Sequence, residues 1–209
     1  MGLRHPARAA VILDCDGVMF DTTDVNRNYY NRILAEFGRP EMTDEQFRYA
    51  HMATADQAVA MLFPDPAERS RADAFRREMT YREFVGYMKE MPELKPLLRR
   101  LRPKVRTAVV TNRSDTMPLV LERFELGGLF DRVVTALDVA RPKPDPEGLN
   151  QVLAAFEITP DLALYVGDTE ADQEAAAAAG VPFAAFDNRE LKAEYHVANL
   201  AEVAELAGV

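Results

Sequence analysis

Two aspartates separated by one residue follow a short apolar segment near the start of the chain. The stretch VILDCDG places Asp14 and Asp16 there, with Cys15 between them. Because side chains alternate in an extended segment, both carboxylates can face one site while the thiol faces away. Two adjacent carboxylates repel each other and are stabilised by a cation. In such a pair one carboxylate can act as nucleophile and the other as general acid and base.

Further polar side chains follow later apolar segments. They are Thr111 and Asn112, Lys143, and finally Asp168 and Asp172. Since parallel strands deliver their carboxyl ends to one edge of a sheet, these groups are expected to meet in one crevice. Asp14, Asp168 and a backbone carbonyl form a hard oxygen set suited to Mg²⁺. A lysine and a metal ion together favour phosphoryl transfer, because they neutralise charge on the phosphoryl oxygens.

The elements that must position these groups alternate along most of the chain. Five short, continuous apolar runs predict buried strands: Ala9–Leu13, Thr107–Val110, Arg132–Val134, Leu162–Val166 and Pro182–Phe186. Helical patterns lie between most of them, at Ser114–Phe124, Pro146–Phe156 and Glu170–Ala179. Gly180 ends the last of these helices. The alternation predicts an α/β fold with a doubly wound parallel sheet.

One long segment interrupts this alternation with helical signals only. Thr43 with Gln46, and Thr54 with Gln57, fit capping boxes that begin helices. Pro66–Glu90 reads as a long helical stretch. The sequence therefore predicts a core of residues 1–21 and 92–209 and an inserted helical cap of residues 22–91.

Composition restricts the partners. The 209 residues carry a net charge of −9, and this argues against broad binding to nucleic acid or to an anionic membrane surface. A single cysteine excludes an internal disulfide and favours a reducing compartment. The N-terminal sequence resembles neither a signal peptide nor a membrane span, so a cytoplasmic location is expected.

Four motifs in order carry a resemblance that extends over essentially the whole chain. They are DCDGV at 14–18, VVTN at 109–112, KPDP at 143–146 and GDTEAD at 167–172. With a helical insert between the first two, the chain resembles the haloacid dehalogenase superfamily, in its phosphatase branch with a helical cap. It is similar to phosphoglycolate-phosphatase-like members. The resemblance implies a Rossmann-like core, a mobile cap and Mg²⁺-dependent hydrolysis of a small phosphorylated metabolite.

The resemblance also implies roles for single residues. Asp14 would be the nucleophile and Asp16 the general acid and base. Thr111 would bind the phosphoryl group, and Lys143 would stabilise the charge on nucleophile and phosphate. The expected metal site comprises Asp14, the backbone carbonyl of Asp16, Asp168 and the supporting Asp172. Asn112 and Arg113 are further candidates for substrate binding. We expect a monomer or a weak homodimer.

The cap is expected to select the substrate. Its segment FRYAHMATADQAVAML aligns by pattern with the family's specificity loop, where relatives often have a glycine and this chain has His51-Met52. Arg48 and His51 are therefore candidate substrate ligands in the segment Arg48–Thr54. Relatives also tend to have a Pro-Gly pair before the helix that follows the cap, where this chain has Pro92-Glu93. Both departures concern the substrate, not the reaction.

Alternative functions remain open. A phosphomutase of the same superfamily has the same reacting groups. A dehalogenase is disfavoured because such members lack an acid at the position of Asp16. A receiver-like module phosphorylated on aspartate has similar strand-end residues but no helical insert. A cysteine phosphatase would need an arginine six residues after Cys15, and position 21 is Asp21. We therefore expect Cys15 to be a core residue.

Overall fold

The computed structural model describes residues 8–52, 55–102 and 104–209, with the side chains of all of these except 51 and 52. Two compact units are present, one of residues 22–89 and one of residues 8–21 and 90–209. The sequence-based division into a core and a 22–91 cap stays a prediction, with boundaries close to those of the two units. Among the described residues, no helix has the length and apolarity needed to cross a membrane.

The larger unit is built on a six-stranded parallel sheet. Along the chain the strands are β1 (Ala10–Leu13), β2 (Phe20–Asp21), β3 (Lys89–Glu90), β4 (Arg106–Val110), β5 (Arg132–Val134), β6 (Ala163–Gly167), β7 (Phe183–Phe186) and β8 (Tyr195–Val197). The sheet order is β5-β4-β1-β6-β7-β8, and β2 pairs with β3 in a separate two-stranded sheet. Strand β1 lies between β4 and β6. From β1 the chain adds strands first on one side of the sheet, as β4 and β5, and then on the other side, as β6, β7 and β8. A crevice at the carboxyl ends of the strands is expected beside β1, where the order reverses.

Continuous burial explains why the central strands are apolar throughout. All residues of β1 and β6 are buried. Helices α5 (Leu94–Leu101), α6 (Met117–Arg123), α7 (Glu147–Phe156), α8 (Glu170–Ala179) and α9 (Leu200–Leu206) belong to the same unit. Apolar side chains of α7 and α8 pack with β1, β4 and β6 in one cluster that includes Ile12, Val110 and Leu149. The α/β fold with a parallel sheet is thus confirmed.

The smaller unit is helical and has a core of its own. It comprises α1 (Thr23–Glu36), α2 (Asp44–Met52), α3 (Ala55–Leu62), α4 (Pro66–Glu78) and a 3₁₀ helix at Tyr81–Tyr87. Ile33, Val59 and Phe63 lie in its apolar cluster. The Thr43–Gln46 capping box is present, with Gln46 N donating to Thr43 Oγ1 at 3.2 Å and Thr43 N donating to Gln46 Oε1 at 2.9 Å. The second predicted box begins at Thr54, which lies outside the described residues.

One predicted helical stretch is interrupted, and the short strands β2, β3 and β8 were not predicted. Pro66–Glu90 is not one helix, because α4 ends at Glu78 and Met79 and Thr80 are extended. Thr80 Oγ1 then accepts a hydrogen bond from Arg82 N, so this threonine begins a separate 3₁₀ helix. Strand β8 was missed, since only three residues at the sheet edge form it and one of them is buried. Helix α8 ends as expected at Gly180, which has φ 69°.

Candidate active site

Asp14 lies directly after β1, at the centre of the sheet. Its backbone N–H donates to Val166 O at 2.9 Å, which continues the pairing of β1 with β6. Its carboxylate is 8% exposed. The chain then turns sharply at Gly17, where φ is 81°. A Cβ at Gly17 would lie 2.0 Å from Asp168 Oδ2, so only glycine allows this turn to approach the carboxylate that follows β6.

Lys143 reaches the same place from the loop after β5. Its Nζ lies 2.8 Å from Asp14 Oδ1 and 2.6 Å from Asp172 Oδ1, and the side chain is 6% exposed. Asn112 fixes the backbone of this lysine from the end of β4: its Oδ1 accepts from Lys143 N at 2.9 Å, and its Nδ2 donates to Lys143 O at 3.0 Å. Asn112 therefore has a positioning contact. Its predicted contact with substrate stays a prediction.

Asp172 is held at the start of α8 by a capping box. Thr169 Oγ1 accepts from Asp172 N, while Asp172 Oδ2 accepts from Thr169 N at 3.1 Å and from its hydroxyl. The other oxygen, Oδ1, accepts from Lys143 and, at 2.6 Å, from the hydroxyl of Tyr165. The side chain is completely buried. This carboxylate therefore links the helix terminus to the lysine.

Asp16 faces a different partner. The guanidinium of Arg113 donates to it through two nitrogens, Nε to Oδ2 at 3.2 Å and Nη2 to Oδ1. Nη1 of Arg113 donates to Thr116 Oγ1 at 3.1 Å. The arginine side chain is 4% exposed, whereas that of Asp16 is 38% exposed. Arg113, a predicted substrate ligand, is thus directed at the predicted general acid, and its contact with substrate stays a prediction.

Thr111 is buried at the carboxyl end of β4. Its backbone N–H donates to Val134 O at 3.1 Å, and its Oγ1 accepts from Arg113 N at 3.1 Å. The hydroxyl proton is therefore available to an acceptor such as a phosphoryl oxygen. Thr111 thus directly precedes Asn112, which holds the backbone of Lys143, and Arg113, which holds Asp16.

Burial and charge set the protonation of this cluster. Burial raises the pKa of Asp14 from 3.8 to about 7, and the nearby ammonium of Lys143 only partly offsets this effect. Burial likewise raises the pKa of Asp168 to about 7, and Asp172 adds to the shift. Burial acts against ionisation of Asp172 too, but Lys143 and the hydrogen bonds from Thr169 and Tyr165 together outweigh burial, so the pKa of Asp172 is lowered. Burial also opposes the charge on Lys143, yet Asp14 and Asp172 raise its pKa.

The carboxylates fit a divalent cation. Oxygen atoms of Asp14, Asp168 and Asp172 lie within 4.8 Å of one another. Asp168 Oδ1 is buried and, among the described residues, has no hydrogen-bond donor. A buried carboxylate oxygen without a donor is costly unless a cation compensates it. The set is hard and anionic, which suits a metal of the Mg²⁺ type. The side chain of Asp16 is directed at Arg113, so its predicted contribution is confined to the backbone carbonyl.

The remaining residues singled out in the sequence are Arg48, His51 and Cys15. Arg48 is exposed on α2, and the side chain of His51 lies outside the described residues. Cys15 is fully buried, and burial raises the pKa of its thiol well above the ordinary value. A buried, protonated thiol is a poor nucleophile. This burial agrees with the core position expected for Cys15.

Sequence reasoning missed two contacts of the site. One is Tyr165, whose hydroxyl lies 3.1 Å from Lys143 Nζ. A signal was available, because a tyrosine in the buried run ALYVG must find a partner for its hydroxyl. The other is the pairing of Arg113 with Asp16, which are separated by 97 positions in the chain. Spacing within the sequence carries no signal for such a pair.

The sequence matches a family of hydrolases. Residues 11–186 match the family model described as haloacid dehalogenase-like hydrolase. The chain is 34% identical over 182 residues to a phosphoglycolate phosphatase of Nitrosospira multiformis, covering 82% of this chain and 79% of that protein. It is 24% identical to a beta-phosphoglucomutase of Bacillus subtilis, covering 82% and 80%.

A solved structure of the same superfamily is similar to this chain in sequence and in fold. A hydrolase of the haloacid dehalogenase superfamily, subfamily IA, variant 1, from Geobacter sulfurreducens is 40% identical, with a TM-score of 0.89. The alignment covers 96% of this chain and 97% of that one. Among the first curated relatives, the chain spans between 66% and 82% of the length of each protein.

Proposed function

Since the chain belongs to the haloacid dehalogenase-like hydrolases and is a phosphatase of that family, we propose that it hydrolyses a small phosphomonoester in a Mg²⁺-dependent reaction through an aspartyl-phosphate on Asp14. One observation carries the proposal. Two strand ends and one loop place Asp14, Asp168 and Lys143 together with Asp172 in a single buried cluster. Such a cluster combines a nucleophile, a cation site and a fixed positive charge.

The reaction has two steps on this chain's residues. In the first, an oxygen of Asp14 attacks phosphorus, and the bond from phosphorus to the leaving oxygen breaks. Asp16, two positions on, gives its proton to that leaving oxygen. In the second step Asp16 takes a proton from water, and the water oxygen attacks phosphorus. Inorganic phosphate then leaves and Asp14 is regenerated.

Fixed charges stabilise the transferred group. Lys143 lies 2.8 Å from Asp14, close enough to neutralise charge on the nucleophile and on a phosphoryl oxygen bound to it. Thr111 can donate its hydroxyl proton to another phosphoryl oxygen. Mg²⁺, when held by Asp14 and Asp168, would supply further neutralisation of the phosphoryl charge. Asp172 would support that site through its contact with Lys143.

The leaving group is proposed to be small and acidic. Several relatives are phosphoglycolate phosphatases, and Arg48 in the smaller unit is exposed and cationic. Phosphoglycolate is therefore the first substrate to test. The predicted cytoplasmic location and monomeric or weakly dimeric state remain part of this proposal.

A phosphomutase is the second candidate, favoured by the similarity to a beta-phosphoglucomutase. It would use the same aspartyl-phosphate but return the phosphoryl group to a sugar instead of to water. The two candidates differ in product. A phosphatase either releases inorganic phosphate from β-glucose 1-phosphate or does not act on this sugar phosphate. A mutase converts it to glucose 6-phosphate.

The test measures phosphate release from p-nitrophenyl phosphate and phosphoglycolate, with Mg²⁺ and with a chelator. We expect activity with Mg²⁺, its loss on chelation, and its loss in Asp14→Asn, since an amide cannot act as the nucleophile. Asp161→Asn is the matched control, because Asp161 is exposed and belongs to none of the four site motifs. Retained turnover in Asp14→Asn would show that the nucleophile is wrongly assigned.

A further inference from the structure

We propose that Tyr165 is a positioning residue of the reaction, one that orients the ammonium of Lys143 and the carboxylate of Asp172. The proposal rests on the proposed function for the role of Lys143. The contacts of Tyr165 itself are observed in the structure. The Tyr165 hydroxyl lies 3.1 Å from Lys143 Nζ, 2.6 Å from Asp172 Oδ1 and 3.3 Å from Val110 O. Its ring is fully buried in β6.

The direction of each hydrogen bond follows from the donors. The ammonium of Lys143 can only donate, and an ionised Asp172 can only accept. The hydroxyl of Tyr165 has one proton and two lone pairs. It therefore accepts from Lys143 and donates towards Asp172. In this arrangement each hydrogen-bond donor among the three groups faces an acceptor.

The ammonium has three protons and three oxygen neighbours. Asp14 and Asp172 lie at 2.8 and 2.6 Å, and the Tyr165 hydroxyl is the third. The carboxylates of Asp14 and Asp172 attract the ammonium by charge. Charge attraction restrains the distance of the nitrogen from the carboxylates more than the direction of its N–H bonds. The phenol adds a third point, and three points define the orientation of a tetrahedral nitrogen. A neutral oxygen can do this without adding a third negative charge beside the nucleophile.

Removing the hydroxyl isolates this effect. The ring packs against Phe183 at a centroid distance of 6.0 Å, and a phenylalanine would fill the same space. Tyr165→Phe therefore leaves the apolar packing of β6 intact. Lys143 would lose one of three acceptors, and Asp172 Oδ1 would lose a donor. We expect kcat on p-nitrophenyl phosphate to fall about 10-fold, with KM changed by less than about 3-fold, because the lysine acts mainly in the transition state.

A double-mutant cycle tests whether Tyr165 acts through the lysine. The four proteins are wild type, Tyr165→Phe, Lys143→Met and the double variant. If Tyr165 orients Lys143, its removal has an effect of less than about 2-fold when the lysine is already absent. An equal loss in both backgrounds would mean an independent structural role and would overturn the proposal. No loss in wild type would overturn it as well.

Tyr195→Phe is the matched control. Its hydroxyl also accepts from a cation, Arg8 Nη2 at 3.1 Å, and it lies on β8 of the same sheet. The chemical change is the same, but the site is not involved. We expect kcat within about 2-fold of wild type. A loss equal to that of Tyr165→Phe would trace the effect to general destabilisation of the sheet and would overturn the proposal.

A second measurement does not depend on turnover. The ammonium signal of ¹⁵N-labelled Lys143, assigned by its absence in Lys143→Met, is recorded without metal or substrate. Tyr165→Phe should shift or broaden this signal, and Tyr195→Phe should leave it in place. An unchanged signal in Tyr165→Phe would refute the contact. If wild type lacks phosphatase activity, the proposed function fails, and this spectrum still decides whether Tyr165 orients the lysine.

Discussion

At the scale of single residues, Arg113 has the geometry of a support and not of a free substrate ligand. Its guanidinium meets Asp16 with two nitrogens and Thr116 with the third. A guanidinium binds a carboxylate through a rigid planar fork, which an ammonium cannot reproduce. The side chain of Asp16 is therefore fixed in direction by this arginine.

Arg113→Lys should separate support from substrate binding. It keeps the charge but loses the fork, so we expect kcat/KM to fall about 10-fold for p-nitrophenyl phosphate and phosphoglycolate alike. The control is Arg123→Lys, an exposed arginine on α6. A loss confined to phosphoglycolate, which carries an extra carboxylate, would instead indicate that Arg113 binds substrate.

The raised pKa values of Asp14 and Asp168 predict how stability depends on pH. Between pH 4 and 7 the folded protein binds more protons at these groups than the unfolded chain, so its free energy of unfolding falls as pH rises. The lowered pKa of Asp172 and the raised pKa of Lys143 act outside this window. Metal-free protein should therefore lose several degrees of Tm between pH 5 and 8, at about 2–4 °C per kcal/mol.

The substitution Asp168→Asn and the addition of Mg²⁺ should each reduce the fall in Tm between pH 5 and pH 8. The amide carries no charge to desolvate, and the cation compensates the ionised carboxylates. Thermal unfolding at pH 5 and pH 8 checks both effects, with Asp161→Asn as the control. An equally steep fall in Asp168→Asn would contradict the assignment of the pH dependence to this cluster.

Much of the site could be predicted at this scale, but not its internal contacts. Asp14, Lys143 and Asp168 could be assembled from sequence because each belongs to a motif at a strand end or in the loop that follows a strand. The partners of Asp16 and Lys143 could not. Arg113 and Tyr165 reach them through side-chain directions that depend on the twist and spacing of neighbouring strands, which no local pattern records.

At the scale of elements, the turn after β1 determines whether the acids can meet. Gly17 combines a positive φ with a close approach to Asp168, where a Cβ would lie 2.0 Å from Oδ2. The turn thus serves two purposes, since it reverses the chain and leaves room for the carboxylate.

Gly17→Ala should displace Asp168. We expect kcat/KM to fall at least about 100-fold and the Mg²⁺ concentration for half-maximal activity to rise. Gly128→Ala is the matched control, because Gly128 has φ 76° but nothing within 4 Å of its Cβ position. It bears the same backbone strain of roughly 1 kcal/mol without the clash. Similar losses in both variants would show that strain alone is responsible.

Two elements have the bounds that the sequence predicts. Helix α8 runs from Glu170 to Ala179 and β5 from Arg132 to Val134, as their patterns predict. The stretch after Glu78 was not predictable, because one threonine side chain competed there with the helical backbone. Strand β8 depends on an edge position in the sheet, which only the assembled unit provides.

At the scale of the whole molecule, the residues proposed for the chemistry and those proposed for substrate selection belong to different units. All residues proposed to react belong to the larger unit, whereas Arg48 and His51 belong to residues 22–89. We expect Arg48→Ala to change the ratio of kcat/KM between phosphoglycolate and p-nitrophenyl phosphate about 10-fold, equivalent to ~1.4 kcal/mol. The exposed Arg77 on α4 gives the control, Arg77→Ala. An unchanged ratio in Arg48→Ala would mean that other residues select the substrate.

The sheet order also affects how the protein is made. Strand β1 is central, yet its partners begin at Arg106 and Ala163, so it leaves the ribosome long before either neighbour exists. At about 5–20 residues per second, Asp14 is made on the order of ten seconds or more before Asp168. The helical unit of residues 22–89, with its own apolar core, is complete well before that. During synthesis, therefore, the part expected to choose the substrate can fold while the part that reacts with it is still being translated.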